Sequence, residues 1–64
     1  MKILRVKDKD LCPYGDYLNE SAADEFANGD YTHIQHVEDG SIAEAGVIGQ
    51  MSTGWPLVLI GEQV

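Results

Sequence analysis

Tyr31-Thr32-His33-Ile34-Gln35-His36-Val37, followed by Glu38-Asp39-Gly40-Ser41-Ile42, is the stretch that decides the fold. Its first seven residues are rich in β-branched and aromatic types, which favour a pleated strand. Asp39-Gly40 is a strong signal for a type I′ hairpin turn, whose two central residues need positive φ. A two-residue loop places Glu38 opposite Ser41, Val37 opposite Ile42 and Tyr31 opposite Ile48.

Downstream, the partner strand is expected over residues 41–51. Gly46 and Gly49 interrupt it, and glycine inside a strand marks a bulge or a close backbone approach. Ser52-Thr53-Gly54 reads as a second turn, and residues 55–62 as the last strand, with Pro56 confined to its start. The unbroken run Leu57-Val58-Leu59-Ile60 suggests a strand covered on both faces.

Upstream, residues 2–7 alternate as a strand, with Leu4 and Val6 on one face and Ile3 and Arg5 on the other. Leu11-Cys12-Pro13-Tyr14-Gly15 is a turn, in which Pro13 presets the second position and Gly15 fits the fourth. A helix is expected over residues 17–28 with Asp16 as its N-cap, in preference to a start at Ser21 with Asp24 three residues on. Gly29 sits where a left-handed residue ends a helix. At 100° per residue, Leu18, Ala22 and Phe26 share the apolar side. Asp16, Glu20 and Asp24 form a carboxylate stripe at i, i+4 and i+8, with Glu25 near the margin.

The order is β-α-β-β-β in one small domain, residues 1–64. The fold class is α+β: a two-layer arrangement with an antiparallel sheet of about four strands and one helix packed on one face. A chain this short buries only about 60% of the surface its unfolded form exposes. One helix covers one sheet face, so the apolar residues Leu57, Val58, Leu59 and Ile60 are expected to meet a second subunit, most simply in a homodimer.

Charge is distributed unevenly. All four basic residues, Lys2, Arg5, Lys7 and Lys9, lie in the first nine positions, whereas ten of the eleven carboxylates follow them. The net charge is −7. Beyond the first strand, an almost uniformly anionic exterior is expected. It disfavours direct nucleic-acid binding, which depends on Lys and Arg neutralising phosphates. The same charge draws the molecule to basic patches, including those that hold DNA or RNA.

The longest strongly apolar run, residues 57–60, is far short of the roughly 20 needed to span a bilayer. Arg5, Lys7, Asp8 and Lys9 interrupt any apolar core of a leader peptide. With a single cysteine, this favours a reducing cytoplasm.

No residue pattern carries catalysis. His33 and His36 stand three apart, which on a strand points them to opposite faces, so no metal is expected. Cys12 has acidic neighbours at Asp8 and Asp10 and reads as a packed or idle thiol. Gly46-Val47-Ile48-Gly49 lacks the Lys and the following helix of a phosphate loop. With eleven carboxylates, any one pair is uninformative. No enzyme activity and no cofactor are expected.

Asp16, Glu20, Asp24, Glu25, Asp30, Glu38 and Asp39 form the set worth a hypothesis. Helical carboxylates at i and i+4 rise about 6 Å apart, comparable to the spacing of charges on a nucleic-acid strand. The expected function is a small interaction protein that docks this acidic face on a basic surface of a larger protein. Its sharper form is an inhibitor of a nucleic-acid-binding protein, of the type encoded by small reading frames of phages and mobile elements. Two readings compete with it. The acids can serve solubility alone, or the chain can be a structural subunit held by its last strand.

Overall fold

The computed structural model describes all 64 residues. The strands are β1 (Ile3–Val6), β2 (His33–His36), β3 (Ile42–Gln50) and β4 (Pro56–Gln63), with one helix, α1 (Glu20–Asn28), between β1 and β2. A short 3₁₀ turn spans Asp8–Asp10. The strands lie in sequence order in a single sheet, and the fold is α+β.

The sheet is mixed rather than purely antiparallel. β1 pairs with β2 in parallel, Leu4 beside Ile34 and Val6 beside His36. The cause is the helical crossover. Asn19, the cap of α1, donates its N–H to the Asp10 carbonyl just beyond the end of β1 (2.8 Å). At the other end, Thr32 and His33 both donate to the Lys2 carbonyl at the start of β1. The helix therefore carries the chain back to where β1 began, as a βαβ crossover must.

α1 begins later than the sequence suggests. Tyr17 and Leu18 are not helical; they are extended and extend the sheet past β4. Leu18 N–H donates to the Val58 carbonyl (3.2 Å), Ile60 N–H donates to the Asp16 carbonyl (2.8 Å), and Tyr17 faces Leu59 antiparallel. Leu18 is buried as expected, but from a strand-like segment. Asn19 is the cap instead of Asp16 or Ser21, its Oδ1 accepting the Ala22 N–H (3.1 Å). Its Nδ2 also donates to the Lys9 carbonyl (2.7 Å). Asn19→Ala is expected to cost about 1 kcal/mol of stability in urea unfolding, whereas Asp16→Ala leaves helix content unchanged by circular dichroism.

The helix end also differs from expectation. Gly29 has φ −92°, and the left-handed residue is Asp30, at φ 54°. Gly29 is required for space: a Cβ there would collide with the Tyr31 ring. That ring packs on Phe26 at a centroid distance of 6.2 Å and carries the Lys2 ammonium 5.1 Å above it.

The β2–β3 hairpin has a longer turn than two residues. His36 donates to the Ser41 carbonyl (2.9 Å), and Gln35 faces Ile42 rather than Val37. The Asp39 carboxylate takes the Ser41 N–H (2.9 Å) and hydroxyl (2.7 Å), so residues 37–40 form the turn. Only Gly40 adopts positive φ, at 76°. The register moves by two residues, which keeps every side chain on its expected face.

The β3–β4 ladder slips between Ala43 and Ala45 and again between Val47 and Gly49. The second slip leaves Ile48 as an extra residue beside Gly49, the bulge that the glycine predicted. Gly46 pairs regularly with Leu59.

The core is Leu4, Val6, Ile34, Ala43 and Val58 from the sheet, capped by Leu18, Ala22, Ala23 and Phe26. Of the run 57–60 only Val58 is fully buried; Leu57, Leu59 and Ile60 are half-buried. A strand covered on both faces is therefore not what β4 is. Its outer edge is paired by residues of its own chain, and its outward face is only partly covered.

Candidate interaction surfaces

The seven carboxylates of the acidic set do not form one face. Glu20, Asp24 and Glu25 lie on α1, whose other side buries Ala22, Ala23 and Phe26. Asp16 lies in the extended segment beside β4, so the i, i+4, i+8 stripe shortens to the pair Glu20 and Asp24. Asp30 and the pair Glu38 and Asp39 flank opposite ends of β2. All seven are exposed except Asp24, which is half-buried.

Asp39 is also a turn residue. The Ser41 N–H and hydroxyl both favour its charged form, which holds its carboxyl below the ordinary aspartate value. A depressed carboxylate contributes stability above its unfolded pKa, and that stability is lost as pH falls through its folded value. NMR titration is expected to find Asp39 protonating at lower pH than the free side chain, and Ser41→Ala to move it upward.

The cations are also grouped. Lys2 sits on Tyr31, while Arg5, Lys7 and Lys9 line a shallow groove of about 530 Å³ with Asp10 and Val37. The Asp10 carboxylate there accepts the Lys7 N–H (2.9 Å). Val37 leads directly into Glu38 and Asp39, so the basic groove adjoins the hairpin acids. The cations are therefore not set apart from carboxylates: Asp10 lies within their groove, and the hydrogen bonds from Asn19 to the Lys9 and Asp10 carbonyls hold this segment against the start of α1.

A third surface has no counterpart in the sequence reading. The turn after the 3₁₀ segment, the strand-like segment beside β4 and the β3–β4 turn enclose an open groove of about 450 Å³. Leu11, Pro13, Tyr14, Tyr17, Met51 and Trp55 form most of its lining, and Glu20 borders it. Two turns hold the walls in place. Gly15 donates to the Cys12 carbonyl (2.9 Å), which makes Pro13 and Gly15 the turn residues expected. Gly54, at φ 104°, donates to the Met51 carbonyl (2.8 Å), and Met51 donates to Trp55 (2.9 Å). Cys12 is half-buried in this wall. Large apolar side chains inside turns, such as Tyr14 and Met51, are the only signal of the groove that the sequence offers.

His33 and His36 lie on opposite faces of β2, with Thr32 Oγ1 2.7 Å from His33 Nδ1. No group of three or more His, Cys, Asp or Glu side chains converges as a metal site. No helix is long and apolar enough to cross a membrane.

Comparison with protein-family models, characterised proteins and solved structures finds no match. The functional reading rests on the surfaces just described.

Proposed function

We propose that this protein is a small non-enzymatic interaction module that docks the carboxylates of α1 on a basic surface of a larger protein. A nucleic-acid-binding groove is the sharpest form of such a target. The observation that carries the reading is the one-signed charge of α1 itself, which bears Glu20, Asp24 and Glu25 and no base. Glu20 and Glu25 are exposed, and Lys2 is engaged by Tyr31. Like charges at i and i+4 cost a helix roughly 0.2–0.5 kcal/mol, and a basic partner relieves that cost.

The test uses a lysine-rich peptide as probe. Its affinity is expected to fall steeply as ionic strength rises, because exposed charges are screened within about 8 Å at physiological salt. A Glu20→Gln, Asp24→Asn, Glu25→Gln variant is expected to lose most of the binding, and a Glu38→Gln, Asp39→Asn variant little of it. Affinity indifferent to salt overturns the reading.

Self-association is a second reading, supported by Leu57 and Leu59, which are half-buried on the outward face of β4. Sedimentation that reports a monomer across a wide concentration range removes it.

A further inference from the structure

We infer that the apolar groove between the 11–18 segment and the β3–β4 turn is an anchor site for a bulky apolar side chain of a basic peptide segment. This rests on the docking role proposed above and specifies the partner: one aromatic or large aliphatic residue flanked by lysines or arginines.

The groove has the composition of an interaction hot spot. Tyr14, Tyr17, Trp55 and Met51 are of the types enriched at interface centres. Met51 is unbranched and polarisable and adapts to the shape of what enters. Tyr14 is 81% exposed, a large ring left in water at the rim. A volume of about 450 Å³ takes one or two large side chains, and the site is open along its length, as an extended peptide requires.

Charge selects the flanking residues. Glu20 lines the groove and Asp16 immediately precedes Tyr17; both are exposed. No Lys or Arg lines it. An acidic segment would bring like charges together, whereas a basic one places a cation at Glu20 while its apolar residue leaves water. The helix carboxylates Asp24 and Glu25 extend the same attraction along α1.

The chain's only tryptophan, Trp55, lines this groove and reports on it directly. Two capped peptides serve as probes: a phenylalanine between two pairs of lysines, and the same peptide with glycine in place of phenylalanine. Titration calorimetry at low salt is expected to find the phenylalanine peptide tighter by roughly tenfold, the effect of one buried anchor. It is also expected to shift Trp55 emission to shorter wavelength, which the glycine peptide does not do. Tyr14→Ala, at an exposed position that leaves the fold intact, is expected to remove the difference between the two peptides.

Equal affinities with unmoved Trp55 emission overturn the anchor site and leave the acidic docking role standing. Absence of binding by either peptide overturns both. A Trp55 shift produced by raising protein concentration alone, with dimers that Tyr14→Ala dissolves, gives the groove to a second copy of the chain and overturns the inference.

Discussion

Val58→Asp is expected to leave the chain unfolded at room temperature, with no cooperative transition in urea and a disordered far-ultraviolet circular dichroism spectrum. Val58 is fully buried on the inner face of β4, and no basic residue belongs to the core around it. A carboxylate there has no partner, and an unpaired buried charge costs several kcal/mol even after relaxation. A small domain has only about 5 kcal/mol to lose. Leu59→Asp is the contrasting variant. Leu59 is half-buried and points to the other side of the sheet, so this change is expected to keep the cooperative transition. A Val58→Asp protein that melts near the parent's midpoint would mean that residue 58 faces solvent and that the strand is inverted.

Phe26→Ala is the second large effect. Phe26 is 2% exposed and is the largest side chain that α1 gives to the core. Truncating a buried phenylalanine costs about 3–5 kcal/mol, through lost transfer energy and the cavity left behind. The midpoint of urea unfolding is the measurement. The loss is expected to be non-additive with Tyr31→Ala, because the two rings are in contact and residues that share packing couple in a double-mutant cycle. Additive losses would show that the Tyr31 ring is supported by Lys2 and Gly29 alone.

The order of elements was legible because periodicity is local. Leu4 and Val6 alternate, Ala22 and Phe26 recur at helical spacing, and Pro56 opens a strand; each signal lies within a few residues. The strand direction of β1 against β2 was less so. It depends on where the crossover returns the chain, which the Asn19–Asp10 and Thr32–Lys2 hydrogen bonds decide across the fold. The start of α1 was misread for a related reason. Asp16 and Asn19 are comparable caps on local grounds, but Tyr17 and Leu18 are claimed by a strand forty residues downstream. Asp39-Gly40 misled in another way: the Asp39 side chain binds Ser41 and lengthens the turn, a competition that a dipeptide signal does not reveal.

The candidate surfaces followed the same division. Composition alone isolated the acidic residues, but not their dispersal over α1, the β4 flank and the two ends of β2. The apolar groove was invisible to any local pattern. Its walls come from two turns separated by more than thirty residues, and turns are read for Gly and Pro rather than for Tyr14 or Met51.

The pairing of Asp16, Tyr17 and Leu18 with β4 bears on how the polypeptide emerges from the ribosome. The cap, the helix and six of the nine buried residues are synthesised early, yet the strand that seals them is the last of the four to be made. Until Val58 arrives, Leu18 and Phe26 have no finished interior to enter. The packing of Leu18 and Phe26 is therefore completed only when β4 joins the sheet.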